Sequence, residues 1–178
     1  MGASIGGATI GVTAPPFVVR EVQDARGVAQ VRRLVLAHAE ARAATPGIEY
    51  MRADAVALPG PYVPPRGGLW LAQAEDEGVG CVALRPLDDT AAEVKRMYVD
   101  PAWRGRGVGR ALLATVIAGA RAREYRTLRL GTLHDMTAAQ ALYASLGFAP
   151  IPRYRPDEMI DTQFYELELR PDRTGEGT

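Results

Sequence analysis

Cysteine is nearly absent from this 178-residue chain, which contains Cys81 and no other. A lone cysteine cannot form an intrachain disulfide and cannot build a cysteine-rich zinc site. The sequence therefore makes no use of an oxidising compartment, and we expect a cytoplasmic protein. Because Cys81 lies in the apolar stretch GCVAL with no histidine nearby, we expect a core position and not a thiol nucleophile.

Long apolar runs are also missing. No stretch approaches the ~20 apolar residues of a membrane-spanning helix, so we expect no membrane contact. The start of the chain, MGASIGGATIGVTA, has neither a basic beginning nor a continuous apolar segment, which argues against a secretory signal. We expect flexible tails at residues 1–14 and 171–178 around a single domain, residues 15–170.

The chain also lacks an excess of positive or negative charge. Lys and Arg number 21, Asp and Glu also number 21, and the formal net charge is zero. This balance argues against a nucleic-acid partner, which a strongly basic surface would favour. A hydrophobic fraction of 47% with 24% charged residues is typical of a folded globular domain.

Hydrophobic spacing and turn residues predict a mixed α/β fold with helices on both faces of a sheet. Asp24 is suited to cap the first helix, and Thr137 with Gln140 has the spacing of a capping box at the last one. The segment PGPYVPPRGG predicts a loop. The predicted strands are 17–22, 69–74, 79–87, 92–99, 127–131, 148–151 and 163–169, and the predicted helices are 25–42, 48–57, 107–124 and 137–147.

The strongest functional signal is the segment RGRGVG, residues 104–109, between a predicted strand and a predicted helix. Glycines at alternate positions allow a tight turn and bring backbone N–H groups close to a ligand. The helix N-terminus adds unpaired donors and the positive end of its dipole. With Arg104, Arg106 and Arg110 at the same end, the segment predicts a diphosphate site.

Two common nucleotide-binding signatures fit this segment poorly. A P-loop requires a Gly-Lys-Ser/Thr ending, which the segment lacks. A Rossmann fingerprint has the spacing GxGxxG and an acidic residue about 20 positions later, whereas here the spacing is GxGxG and the next strand, TLRLG, has no acid at its end. A glycine-rich turn with surface arginines and no ligand is the remaining alternative.

The segment resembles the Q/R-x-x-G-x-G/A signature of the GCN5-related N-acetyltransferase (GNAT) family. On either side of it, EVKRMYVDPAWRGRGVGRALL resembles the strand, loop and helix around coenzyme A, and QALYASLGF resembles the later LY…LGF helix and strand. The resemblance covers about residues 69–169. It implies a mostly antiparallel central sheet with a splayed pair of central strands, acetyl-CoA as co-substrate, and no metal.

The resemblance also implies where acetyl-CoA binds. The backbone of Met97, Tyr98 and Val99 is expected to pair with the amides of the pantetheine arm, as an added strand would. Core packing is the alternative for Met97 and Val99, and both roles can hold together. The pyrophosphate is expected on the loop and helix start, so that the cofactor-binding residues are Met97, Tyr98, Val99, Arg104, Gly105, Arg106, Gly107, Val108, Gly109 and Arg110.

Two residues are candidates for acid–base catalysis. An alkyl ammonium has a pKa near ~10, so that a base is useful for acetyl transfer to an amine. Glu93, eleven residues before Arg104, has a position similar to that of the glutamate base in some family members. We expect it to act through a water, because a strand advances ~3.3 Å per residue and places Glu93 well before Val99. A solvated or salt-bridged carboxylate, paired with Lys95, is the equally weighted alternative.

Tyr143 is the stronger candidate, because it aligns with the family tyrosine that reaches the coenzyme A sulfur. A neutral phenol there can protonate the departing thiolate. The alternative is a core tyrosine. Seven residues earlier the family often has an asparagine that binds the pantetheine arm, and here that position is Met136. Its contact is lost, or replaced by Thr137 or His134.

The resemblance implies an acetyl-CoA-dependent N-acetyltransferase in which the amine of a small molecule or peptide attacks directly. One alternative is a regulatory module that binds acyl-CoA without catalysis. Another is an acetyltransferase that acts on a protein or on charged tRNA, against which the neutral net charge argues. The sequence leaves the acceptor open, because the loops and helices of residues 42–68 resemble the family least. Sheet edges offer a route to a homodimer. His38 is expected to be an ordinary helix residue.

Overall fold

The computed structural model of the protein describes residues 16–156 and 161–169. The two predicted tails, residues 1–14 and 171–178, lie outside the described residues. The boundaries of a single domain at residues 15–170 therefore stay a prediction.

Every predicted helix and strand is present, with its ends displaced by at most two residues. The strong periodicity of the apolar positions explains this agreement. In chain order the elements are β1 (Val18–Glu21), α1 (Ala25–Ala41), α2 (Ile48–Ala57), β2 (Gly68–Ala74), β3 (Glu77–Pro86), β4 (Ala91–Val99), a 3-10 turn (Pro101–Trp103), α3 (Val108–Ala122), β5 (Thr127–Leu133), α4 (Thr137–Ser145), β6 (Ala149–Ile151) and β7 (Thr162–Glu168).

Asp24 caps α1 as predicted. Its carboxylate accepts a hydrogen bond from the backbone N–H of Gly27 at 2.7 Å, which satisfies one of the unpaired donors at the helix start. The capping box predicted for α4 is wrong. The N-cap position is Met136 and makes no side-chain cap bond. Gln140 instead donates from Nε2 to the carbonyl oxygens of Leu133, at 3.1 Å, and His134, at 2.9 Å, because the chain turns into the helix one residue earlier than a Thr137 cap requires.

The strands of the described residues form one sheet in the order β1-β2-β3-β4-β5-β7-β6. All neighbouring strands pair antiparallel except β4 and β5, which are parallel. Helices α1 and α2 pack on one face of the sheet around Val31, Leu34 and Leu71. Helices α3 and α4 contribute Leu112, Leu113 and Tyr143 to the core on the other face. The prediction of a mostly antiparallel sheet with helices on both faces is confirmed.

The parallel strands β4 and β5 diverge along their length. They pair from Ala91 with Thr127 to Val94 with Leu130. Beyond that point β4 continues to Val99 beside β3, whereas β5 continues to Leu133 beside β7. The implied splayed pair is confirmed, and it opens the sheet beside the second half of β4.

A β-bulge lies at the point of divergence. The register between β3 and β4 shifts between the pairs Cys81–Tyr98 and Ala83–Lys95, which places one extra residue in β4. The extra residue is Arg96, whose φ is +54°. This is a left-handed backbone conformation that residues other than glycine seldom adopt. Bulges redirect side chains and are frequent beside functional sites.

None of the helices in the described ranges has the length and apolar character needed to cross a membrane.

Candidate active site

Two adjoining cavities occupy the gap between the splayed strands. The first, here the loop cavity, has a volume of about 650 Å³ and lies against residues 97–99 of β4 and the glycine segment. The second, here the bulge cavity, has a volume of about 600 Å³ and lies against residues 94–97 of β4 and the start of α2. Side chains or backbone of five residues line both cavities: His38, Arg42, Met97, Met136 and Tyr143. The cavities therefore meet at these residues.

The glycine segment forms an open turn at the start of α3. Gly105 and Gly107 have φ of +74° and +84°, and Gly107 is the N-cap of the helix. A Cβ added to either glycine would meet no atom within 4 Å in the described residues. The turn is therefore exposed to the loop cavity, and the first amides of α3 lack intrahelical partners because they belong to the first turn. This arrangement suits a phosphate group.

Nine of the ten residues predicted to bind the cofactor line the loop cavity, and Arg106 is the exception. The guanidinium of Arg106 lies 5.0 Å from the ring of Trp103. Arg104 donates from Nε to the carbonyl oxygen of Val99 at 3.2 Å. Arg110 donates to the hydroxyl of Ser145 at 2.8 Å, which ties the start of α3 to the end of α4. Arg104 and Arg110 therefore bring positive charge to the loop cavity, and a diphosphate fits that charge.

The edge of β4 that faces the loop cavity is suited to pair with a ligand. Tyr98 and Val99 pair with Cys81 and Gly80 of β3 on one side. On the other side β5 has diverged, and among the described strands none pairs with this part of β4. An extended ligand with amide groups, such as a pantetheine arm, can pair with such an edge.

Tyr143 lies where the two cavities meet. Its side chain is 7% exposed, and its hydroxyl donates to the sulfur of Met97 at 3.8 Å. Its ring packs at 6.0 Å from Phe148 and 6.3 Å from Tyr165, centroid to centroid. Burial raises the pKa of Tyr143 to about 12, so the phenol is neutral at physiological pH and can donate a proton.

Met136, at the position where the family often has asparagine, also lines both cavities. The hydroxyl of Thr132 donates to its sulfur at 3.6 Å. Thr137 lines the loop cavity, and the His134 backbone accepts the hydrogen bond of Gln140. Of the two residues expected to replace the asparagine contact, the structure brings Thr137 to the loop cavity.

Glu93 is in a different environment from Tyr143. It is fully buried and lines neither cavity. Its carboxylate accepts hydrogen bonds from Arg85 Nη2 at 2.7 Å and from the hydroxyl of Tyr154 at 2.5 Å. Arg155 Nη1 lies 3.3 Å from the same carboxylate. The geometry corresponds to a salt-bridged carboxylate between β3, β4 and the segment after β6.

His38 is a residue whose position the sequence did not indicate. It lines both cavities, and its ring stacks on Tyr98 with centroids 5.0 Å apart. Burial, together with the positive charges of Arg42, Arg96 and Arg104, lowers the pKa of His38 to about 4. A neutral imidazole therefore stands at the junction of the cavities. The helical spacing of His38 from the apolar positions of α1 indicates a side chain at the edge of the buried face of that helix.

Potential metal ligands are dispersed. Within residues 16–156 and 161–169 no three His, Cys, Asp or Glu side chains come close enough together to hold a metal ion.

A splayed pair of parallel strands that opens onto a glycine turn at a helix N-terminus is the architecture of the N-acetyltransferases. Sequence comparison agrees with this class, since residues 65–150 match the acetyltransferase (GNAT) domain. An uncharacterised N-acetyltransferase of Schizosaccharomyces pombe is 32% identical over 110 residues, which are 61% of this chain and 68% of that protein. The chain therefore belongs to the GNAT acetyltransferase family.

The chain is also similar to longer proteins and to solved structures of the same fold. N-acetylaspartate synthetase of Danio rerio is 40% identical over 89 residues, 49% of this chain and 32% of that protein. The chain spans about a third of the length of this and other curated relatives. The crystal structure of a GNAT family acetyltransferase from Elizabethkingia anophelis with acetyl-CoA bound is 22% identical, with a TM-score of 0.63 over 88% of this chain and all of that one. At this identity the match shows a shared fold.

Proposed function

We propose that the protein transfers the acetyl group of acetyl-CoA to a primary amine by direct attack of the amine. The observation that carries this proposal is the junction of the two cavities at Tyr143. One cavity has the donors for a pyrophosphate and a strand edge for a pantetheine arm. The other is open for a second substrate on the far side of the same tyrosine.

In this proposal acetyl-CoA occupies the loop cavity. Its pyrophosphate binds the amides from Gly105 to Arg110, and Arg104 and Arg106 contribute positive charge. Its pantetheine arm pairs with the backbone of Met97, Tyr98 and Val99. The arm then directs the thioester toward Tyr143 and the bulge cavity.

The reaction forms one bond and breaks another. The lone pair of the amine nitrogen attacks the thioester carbonyl carbon, the C–N bond forms, and the C–S bond breaks. The nitrogen releases a proton to water, the sulfur takes one from the hydroxyl of Tyr143, and the resulting phenolate regains a proton from water. The raised pKa of Tyr143 keeps that proton in place until negative charge develops on the sulfur.

We propose that Glu93 acts mainly by holding Arg85 and Arg155 in position and not by taking the proton of the amine. This assignment is supported by the complete burial of its carboxylate and by the three donors that surround it. A base role through a relayed water is the competing assignment, and a pH–rate profile separates the two. The amine proton then leaves to water.

A thiol-release assay over a panel of primary amines tests the proposed function. We expect free coenzyme A to appear only when acetyl-CoA and a suitable amine are both present, together with an equal amount of acetylated amine by mass spectrometry. Binding of acetyl-CoA without transfer to any amine would contradict catalysis and support a regulatory acyl-CoA-binding module. Transfer only to charged tRNA or to a protein would contradict the proposal of a small-molecule acceptor.

We further propose a cytoplasmic location and a homodimer. The first is supported by the absence of a second cysteine and by the complete burial of Cys81. The second is supported by the two outer strands of the described sheet, β1 and β6, which have edges available for pairing. Light scattering after gel filtration tests the dimer, and a monomeric mass would contradict it.

A further inference from the structure

Arg96 is the most constrained residue of the bulge cavity. It occupies the β-bulge of β4 in a left-handed conformation, and its side chain is 4% exposed. Its Nε lies 2.5 Å from Oδ2 of Asp54, an oxygen that also accepts a hydrogen bond from the hydroxyl of Tyr62 at 2.8 Å. Its guanidinium lies 5.0 Å from the centre of the Tyr50 ring. The planar group is therefore fixed from two sides.

One nitrogen of this fixed guanidinium has no hydrogen-bond acceptor among the described residues. Nη2 of Arg96 is buried and makes no hydrogen bond to any atom of the described residues. A buried N–H group without a partner is costly, and more so when it belongs to a charged side chain. Arg96 is one of the lining residues of the bulge cavity, so an acceptor bound there is the available partner.

The other polar groups of the cavity favour an anionic partner. Lys95 and Arg42 also line it, and Arg42 is ion-paired with Asp135 at 2.8 Å. Among the described lining residues Asp161 is the one carboxylate. The hydroxyl of Thr162, another lining residue, is buried and likewise without a partner in the described ranges. The planar fork of an arginine matches a carboxylate better than it matches a neutral oxygen.

We propose that the bulge cavity binds an amine that also carries a carboxylate, and that this carboxylate accepts a hydrogen bond from Nη2 of Arg96. The inference rests on the proposed acetyl transfer and narrows its acceptor to amino acids and related amino carboxylates. Asp54 is a positioning residue in this arrangement, because it holds the guanidinium and does not line the cavity.

Matched acceptor pairs test the proposal, each pair being an amino acid and its amide, such as glycine and glycinamide. The amide has the less basic amine, so the chemistry alone favours the amide. We expect the wild-type protein to show a kcat/KM at least about tenfold higher for the carboxylates, since a hydrogen bond to a charged group has this effect. Arg96→Lys keeps a positive charge for Asp54 but loses the planar fork. We expect it to lower this preference at least about tenfold, because kcat/KM should fall much more for the carboxylates, which lose the hydrogen bond from Nη2, than for the amides.

Arg52→Lys is the matched control, because Arg52 lies on α2 in exposed ion pairs with Glu40 and Glu49 and does not line the cavity. Its preference should equal that of the wild type. A folded Arg96→Lys protein with the wild-type preference would overturn the role of Arg96. If this variant does not fold, calorimetry of the wild-type protein with coenzyme A decides, and equal affinity for amino acid and amide would overturn the proposal.

Different results would overturn the proposed acetyl transfer and the proposed carboxylate site. A wild-type protein that acetylates amides and simple amines as well as amino acids overturns the carboxylate site and leaves acetyl transfer intact. A protein that binds acetyl-CoA but acetylates no amine of any kind overturns both.

Discussion

Replacing Tyr143 by phenylalanine separates packing from chemistry, because the change removes one hydroxyl and keeps the ring. The contacts of the ring with Phe148 and Tyr165 remain. The lost hydrogen bond is the one to the sulfur of Met97 at 3.8 Å, and a thioether is a weak acceptor. We therefore expect the free energy of unfolding to fall by at most about 1 kcal/mol.

The expected effect on the rate is much larger. A positioned proton donor contributes roughly 10²-fold or more, which corresponds to about 2.7 kcal/mol of transition-state stabilisation. Because the donor acts only when charge develops on sulfur, kcat and kcat/KM should fall together. The affinity for acetyl-CoA should remain near that of the wild type.

Single-turnover acetyl transfer is the appropriate assay, because slow product release can hide a loss in the chemical step. Tyr165→Phe is the matched control, since its hydroxyl donates to Gln163 on an exposed part of β7 and its ring packs beside Tyr143. The control should react at the wild-type rate. A folded Tyr143→Phe protein with an unchanged single-turnover rate would exclude Tyr143 as the proton donor and show that the sulfur takes its proton from water.

Three further perturbations have expected outcomes. Gly107→Glu should abolish acetyl-CoA binding in calorimetry, because it places negative charge where the pyrophosphate belongs. Gly107→Ala should lower the free energy of unfolding by about 1–2 kcal/mol, because residue 107 has a left-handed φ. Unchanged affinity of a folded Gly107→Glu protein for acetyl-CoA would contradict the site. Glu93→Gln should lower the free energy of unfolding by about 3 kcal/mol, because it removes the negative charge of a fully buried carboxylate from the partly buried guanidinium groups of Arg85 and Arg155. Its pH–rate profile should run parallel to that of the wild type, and a loss confined to pH values below the amine pKa would instead identify a base. His38 has a pKa of about 4 in the folded protein against the ordinary 6.5, so as pH falls it is protonated first in the unfolded chain. The stability present above pH 6.5 should therefore be lost as pH falls toward 4. An NMR titration midpoint of His38 near 6.5 would contradict this.

The features that are local in sequence were predictable. The alternation of β2–β4 and the apolar stripes of α1 and α3 follow from periodicity. The glycine turn followed from spacing alone, since Gly105 and Gly107 need conformations that other residues avoid. The resemblance to the family added the divergence of β4 and β5, which no pattern in either strand encodes.

The parts of the site that depend on tertiary packing were not predictable. His38 reaches the cavities because α1 crosses the face of β4, and Arg96 meets Asp54 because a bulge turns its side chain toward α2. The bulge has no sequence signature, and the helical spacing of His38 indicates the edge of the buried face of α1 but not the cavity next to it. The partners of Glu93 come from β3 and from the segment after β6, so its burial could not be read from its own strand. The capping-box prediction at Thr137 failed for a local reason, because the backbone of Met136 already occupies the cap position.

A crystal structure with acetyl-CoA bound would show directly whether the cofactor occupies the loop cavity and reaches Tyr143. We expect the pyrophosphate on the amides from Gly105 to Arg110, the pantetheine arm along residues 97–99 of β4, and the sulfur within hydrogen-bonding distance of the Tyr143 hydroxyl. A cofactor bound outside the loop cavity, or a sulfur that faces away from Tyr143, would contradict this expectation.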